Sequence, residues 1–84
     1  MNKITVRYFA SIREAVGQGS EQVQSSASTL GALRDELIAR GGAHASSLAR
    51  GKAVRMALNE MLSDEAAALA DGAEVAFFPP VTGG

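Results

Sequence analysis

Hydrophobic and polar residues alternate along the first part of the chain. Ile4, Val6 and Tyr8 lie on one side of an extended segment, and polar residues lie between them. A period of two is typical of a β-strand with one buried face. The pattern therefore predicts a first strand that packs one side against a core.

A different period follows Thr29. Apolar residues recur at helical spacing and are predicted to face the core: Leu30, Leu33, Leu37 and Ile38. The polar residues between them are predicted to face solvent: Arg34, Asp35 and Glu36. Thr29 can cap the N-terminus of this helix, and Gly41-Gly42 can end it.

Shorter patterns predict the remaining elements. Before the main helix these are a loop over 9–20, with a hairpin turn at Gly17 and Gly19, and a weak strand over 21–24. After it come a short helix over 43–50, a strand over 54–58, a tight turn at Asn59-Glu60 and a short strand over 61–62. A single helical turn over 63–69, a turn at Asp71-Gly72 and a last strand over 73–78 complete the chain.

These elements predict an α+β fold. If the first and last strands lie side by side in the middle of a mixed sheet, with the main helix packed across one face, the arrangement is a β-grasp. Residues 1–78 then form the domain, and residues 79–84 form a flexible, extended C-terminal tail. Periodicity alone does not determine the order of the strands.

The predicted tail has an unusual composition. Pro79 and Pro80 remove two backbone donors and stop the last strand, Val81 and Thr82 follow, and Gly83-Gly84 carry no side chain. Six residues in extended form reach about 20 Å. Such a thin segment can enter a narrow channel in a partner protein.

Composition excludes several classes of function. Eight Lys and Arg residues stand against nine Asp and Glu, so there is no basic surface for nucleic acid. The chain has no cysteine, and its N-terminal residues resemble neither a signal peptide nor a membrane span, which makes a cytoplasmic protein the expectation. His44, the only histidine, is expected to be solvated rather than to act as a base for Ser46 or Ser47.

No metal site is expected from the carboxylates. Asp64 and Glu65 are close in sequence to Asp71 and Glu74, but Asp64 suits a cap and Asp71 suits a turn better than either suits a metal shell.

Two segments carry a family resemblance. Residues 9–17, Phe-Ala-Ser-Ile-Arg-Glu-Ala-Val-Gly, and residues 69–84, which end in Phe-Phe-Pro-Pro-Val-Thr-Gly-Gly, resemble the small subunits of molybdopterin synthase, a family of ubiquitin-like sulfur carriers. Chain length and element order agree with the resemblance. Residues 20–56 are not distinctive.

The resemblance implies a carrier rather than a catalyst. An adenylating, E1-like enzyme would use ATP to activate the Gly84 carboxylate, and a sulfur donor would convert it to a thiocarboxylate. The large synthase subunit would then transfer the sulfur to a pterin precursor, within a hetero-tetramer of two small and two large subunits. No cofactor is expected on the chain itself.

Docking requires a surface beside the tail. The resemblance places Phe9, Leu62 and Phe78 at apolar positions that the family presents to its partners, and alternation implies that Phe77 and Phe78 cannot both face the core. Which of the two phenylalanines is buried stays open at this point. Alternative functions are a sulfur carrier for thiamine or another product, a ubiquitin-like modifier of lysines, and a binding module with an incidental Gly-Gly end.

Overall fold

A computed structural model describes residues 1–80 of the chain. The elements are β1 (Asn2–Tyr8), α1 (Ala10–Val16), β2 (Ser20–Ser25), α2 (Leu30–Ala39), α3 (Gly42–Leu48), β3 (Arg55–Leu58), β4 (Met61–Ser63) and β5 (Glu74–Phe78).

The strands form one mixed sheet in the order β2-β1-β5-β3-β4. The first and last strands are parallel neighbours in its middle, paired from Thr5 with Glu74 to Tyr8 with Phe77. The other three strand pairs are antiparallel. This is the predicted β-grasp arrangement, and it makes β5, the strand from which the tail leaves, a central strand.

One face of the sheet carries the core. Alternate residues of the strands are buried beneath the helices, which is the burial that period-two patterning predicts. The largest fully buried side chains are Tyr8, Phe77, Ile4, Leu30, Leu33, Leu37, Leu48, Val6 and Val75. The main helix α2 begins as predicted, because the Thr29 hydroxyl accepts a hydrogen bond of 3.2 Å from the amide of Ala32.

The predicted helical turn over 63–69 is wrong. Instead, the segment runs along the start of α2, where the amides of Leu30 and Gly31 donate to the carbonyls of Ala67 and Glu65. These carbonyls satisfy α2 amides that have no partner inside their own helix. Gly31 permits the close approach, since a β-carbon there would lie 3.1 Å from Cβ of Glu65. Asp64 caps a local turn by accepting from the amide of Ala66.

The helix α1 was not predicted from the sequence. Where a loop and a hairpin turn were expected, residues Ala10–Val16 are helical, and Gly17 ends the helix with φ of 87°. Ile12 is buried, and Val16, one turn later, packs against the core. A seven-residue helix is marginal by itself, so packing against α3, β1 and β5 stabilises it.

The predicted turns at Asn59-Glu60 and at Asp71-Gly72 are both present. Asn59 and Glu60 both have positive φ and join β3 to β4 in a tight hairpin. Asp71 and Gly72 turn the chain into β5, and the Asp71 carboxylate accepts from the amide of Lys3 at 2.7 Å. Asn59 in turn exchanges two hydrogen bonds with the backbone of Glu74 in β5, so both turns are tied to central strands.

Arg34 is buried, which contradicts the prediction that it faces solvent. Its guanidinium donates to the carbonyls of Leu48 and Ala49, both at 2.7 Å, and to Lys52 at 3.2 Å. It also contacts the Glu65 carboxylate at 3.1 Å. The carbonyls at the end of α3 have no amide partner within the helix, and the planar fork of donors on an arginine can bind several carbonyls at once. Asp35 is exposed as predicted, whereas Glu36 is half-buried and accepts from Ser25 and Ser26.

Replacing Arg34 by alanine is expected to lower the free energy of unfolding by about 2 to 4 kcal/mol, because buried carbonyls lose their donors. Arg34→Lys should recover only part of this loss, since an ammonium group lacks the planar fork. Chemical denaturation measures both. Arg13→Ala, at an exposed position of α1, is the control and should change stability by less than about 0.5 kcal/mol. A similar value for Arg34→Ala and Arg13→Ala would contradict this role.

Candidate docking face and tail root

The face of the sheet opposite the helices is the candidate site. Cross-strand partners share a face, so the strand register arranges its side chains in rows. Ala76 of β5 pairs with Arg7 on one side and with Ala57 on the other, and Ala57 in turn pairs with Leu62 of β4. We call this surface the outer face.

Phe77 and Phe78 lie on opposite sides of the sheet. Phe77 is fully buried and stacks on Tyr8 with ring centroids 6.4 Å apart, whereas Phe78 is half-buried on the outer face. The two rings cannot both face the core, because successive residues of a strand point in opposite directions. Phe78 is thus the aromatic residue at the surface beside the tail root.

Phe9 and Leu62 are also at the surface, as predicted. Phe9 is 39% exposed and Leu62 is 68% exposed. The Phe9 amide donates to the Phe77 carbonyl at 3.1 Å, which ties the end of β1 to the end of β5. Leu62 extends the apolar surface across β4. Met61 is equally exposed, but it pairs with Leu58 and so points to the other side of the strand.

A shallow, mainly apolar hollow of about 410 Å³ lies on the outer face beside Phe9 and Phe78, and Leu62 lines a neighbouring hollow. Ala57 and Ala76 form the floor of the apolar hollow, where their small side chains leave space, and Phe9 and Phe78 stand at its edge. Arg7 lies over the Phe9 ring, with its guanidinium carbon 5.3 Å from the ring centroid. Its Nη1 atom is 3.8 Å from Oε1 of Glu74. Sequence reasoning missed the two alanines and Arg7 as site residues, although the alternation of β1, β3 and β5 places them on this face.

The outer face leads directly to the predicted tail. Pro79 and Pro80 follow Phe78 and are half-buried. The remaining predicted tail residues, Val81, Thr82, Gly83 and Gly84, lie outside the described residues. The part of the chain that the structure describes therefore ends at the root of the tail.

His44 is not solvated, which corrects the prediction for it. It lies in α3, its Nε2 is 2.9 Å from Oε2 of Glu21, and its ring meets Tyr8 edge to face. Within residues 1–80 the Ser46 hydroxyl donates to the carbonyl of Ala43 rather than to His44. The histidine therefore belongs to a structural cluster and not to a serine and histidine pair.

Glu21 is the centre of this cluster. Its carboxylate accepts from the Tyr8 hydroxyl at 2.7 Å and from Arg40 at 2.8 Å, besides the contact with His44. Burial acts to raise the pKa of Glu21, but the hydrogen bonds from Tyr8, Arg40 and His44 outweigh it and lower the pKa to about 2. Burial, reinforced by Glu21, raises the pKa of Tyr8 far above its usual value. Tyr8 therefore remains a neutral donor.

The described residues form an apolar surface at the root of the tail. Among residues 1–80, no group of three or more His, Asp or Glu side chains is placed to hold a metal ion. The same part of the chain contains no helix of sufficient length and hydropathy to cross a membrane. What it presents is an apolar hollow bounded by aromatic rings, immediately before the tail.

Comparison with known proteins gives consistent matches. A sequence profile of the ThiS family matches residues 6–84. The molybdopterin synthase sulfur carrier subunit of Escherichia coli K12 is 43% identical over 81 residues, which cover 96% of this chain and 99% of that protein.

Two solved structures are similar along nearly the whole chain. SAMP1 from Haloferax volcanii has a TM-score of 0.78 and 26% identity, and the match covers 99% of this chain and 100% of that one. A chain in the complex of subunits 1 and 2 of the molybdopterin-converting factor from Helicobacter pylori 26695 has a TM-score of 0.66 and 27% identity, over 98% of this chain and 99% of that one.

The Glu21 cluster predicts a specific loss of stability in acid. The pKa of Glu21 is lower in the folded chain, at about 2, than its ordinary value of 4.5, so its stabilising contribution is complete above about pH 4.5 and is lost as pH falls toward 2. Glu21→Gln should be less stable than the wild type at pH 6, and the difference should shrink between pH 4.5 and 2. Denaturation curves across this range measure it. A difference that stays constant with pH would contradict the assignment.

Proposed function

The chain belongs to the ThiS family, and we propose that it is the sulfur carrier subunit of a molybdopterin synthase. The observation that carries the proposal is the position of the apolar outer face. Phe9 and Phe78 lie at the end of β5, where the Gly-Gly tail begins, so a partner that binds this face can also bind the tail. The 43% identity to the carrier subunit of E. coli supports the same function.

The reacting group in this proposal is the carboxylate of Gly84. A carboxylate is a poor electrophile, because its charge repels nucleophiles and it has no leaving group. An adenylating enzyme joins it to AMP from ATP and releases pyrophosphate. Hydrosulfide supplied by the donor then attacks the acyl carbon, displaces AMP and loses its proton, which leaves a thiocarboxylate in which sulfur has replaced one oxygen.

The chain itself performs no bond-breaking step in this scheme. Glycine at position 84 places no β-carbon beside the carbonyl, and Gly83 lets the backbone pass a narrow channel. The sulfur leaves in the active site of a large subunit, where it is transferred to the pterin precursor. A large subunit is the proposed partner because the H. pylori relative was solved as a complex of subunits 1 and 2.

A second candidate is a ubiquitin-like modifier. SAMP1 of H. volcanii, whose name stands for small archaeal modifier protein 1, shares the fold at a TM-score of 0.78. A modifier would use the same activated Gly84 but pass it to the amino group of a lysine, which forms an amide. The acceptor therefore distinguishes the two functions.

Incubation with ATP, the adenylating enzyme and a sulfur donor is expected to raise the intact mass by the replacement of one oxygen with sulfur at Gly84. Gly84→Ala, or one residue added after Gly84, should abolish sulfur transfer and leave the thermal unfolding midpoint unchanged. Mass spectrometry with and without ATP measures the gain, and Met61→Ala serves as the active control. If no gain occurs with active partners, the carrier function is wrong, and conjugates to lysine would favour the modifier.

The outer face predicts a contrast between two adjacent residues. Leu62→Ala is expected to weaken binding to the large subunit by about 1 to 2 kcal/mol, because it removes apolar area from the docking face. Met61→Ala is the matched control, since Met61 is 72% exposed against 68% for Leu62 but faces the other side of β4. Titration calorimetry measures both dissociation constants. Equal effects would show that this face does not dock the partner.

A further inference from the structure

Electric charge is distributed unevenly along the outer face. The register sets two ends: one beside the tail root, where Phe78 pairs with Arg55, and one at the far side, where Asn59 bonds the backbone of Glu74. Arg55 is exposed at the tail end. Glu60, next to Asn59 in the hairpin turn, is exposed at the far end and lines the hollow together with Glu74.

The charge of Arg7, in the middle of the face, is largely compensated by Glu74 at the far end. Arg7 is 3.8 Å from Glu74, and its guanidinium lies over Phe9. Arg55 and Glu60, in contrast, form no ion pair with any side chain in residues 1–80. Asp64 lines a neighbouring hollow with Arg55, but its carboxylate accepts from the amide of Ala66. Lys3 of β1 is a further exposed cation at the far end of this face, and Asp71, an exposed carboxylate that accepts from the Lys3 amide, lies beside it. Arg55 and Glu60 therefore stand as a cation and an anion at opposite ends of the hollow.

A cation at one end of the hollow and an anion at the other make the surface polar along its length. An apolar hollow by itself lets a partner dock in several rotations about the surface normal, but only one rotation brings the tail to the partner's channel. Complementary charges across an interface determine orientation and accelerate encounter more than they increase affinity. A cation at the tail end and an anion at the far end together specify one rotation.

We propose that Arg55 and Glu60 orient the protein partner that receives the tail. The partner surface has an apolar patch for the hollow, a carboxylate opposite Arg55 beside the channel entrance, and a cation opposite Glu60. This inference rests on the proposed function, because it takes the large synthase subunit as the partner. Arg55 and Glu60 are positioning residues and take no part in the sulfur chemistry.

The test measures association rates of the full chain with the large subunit by stopped flow at several salt concentrations. Arg55→Glu is expected to slow association about tenfold at low salt, with a difference below about twofold at about 1 M salt, where charges are screened beyond about 3 Å. Leu62→Ala should instead accelerate dissociation at every salt concentration. This contrast distinguishes a residue that accelerates association electrostatically, Arg55, from one that contributes apolar contact area, Leu62.

Two further variants test direction rather than net charge. Glu60→Lys changes net charge in the opposite sense to Arg55→Glu, so an effect of net charge alone would make the two variants change the rate in opposite directions. The proposal requires both to slow association. Arg13→Glu, which makes the same charge change on α1 at an exposed site outside the outer face, should have less than about a twofold effect.

The outcomes separate the inference from the function on which it rests. If the wild-type chain does not bind the large subunit, the proposed function and the inference both fail. If the wild type binds and Arg55→Glu associates as fast as Arg13→Glu, or Glu60→Lys accelerates association, the inference is wrong and the function stands. Unchanged thermal midpoints for the variants exclude misfolding as the cause of a slower rate.

Discussion

The parallel pairing of β1 with β5 is the constraint on which the rest of the structure depends. Four residue pairs, from Thr5 with Glu74 to Tyr8 with Phe77, join the two ends of the domain in the middle of the sheet. Because β5 is held on both sides by hydrogen-bonded neighbours, the direction in which the chain leaves at Pro79 is fixed by the core. A carrier needs this property, since an edge strand is hydrogen-bonded on one side only and would fix the position of the tail less firmly.

The two faces of the sheet have separate tasks. The inner face and its helices provide stability through the buried apolar residues. Arg34 adds to it by donating to the carbonyls at the end of α3, and Glu21 by accepting from the side chains of Tyr8 and Arg40. Within residues 1–80 no helix covers the outer face, and its alanines and exposed aromatic ring leave a surface that another protein can cover. Because side chains alternate along every strand, a substitution on the outer face can alter docking with little effect on the core.

Period-two and helical patterns predicted β1, β5 and α2, because each has several apolar residues at regular spacing. They predicted the α+β fold, and alternation required that one of Phe77 and Phe78 lie outside. Short elements were harder, because α1 offers only Ile12 and Val16 at helical spacing. The burial of Arg34 and the hydrogen bond of His44 could not be predicted, since they depend on partners from 14 to 31 residues away that only the tertiary fold brings close. The family resemblance supplied Phe9 and Leu62, which periodicity alone would not select.

The central pair also joins segments about 70 residues apart in sequence. Folding rates fall as the average sequence separation of contacts rises, because a long loop must close before such contacts form. The sheet therefore cannot assemble from its N-terminal half alone. A chain that breaks off within β5 lacks the tail and the middle of the sheet together. Such an incomplete chain also lacks the β5 part of the outer face, so a chain without a tail cannot occupy the docking site of the partner.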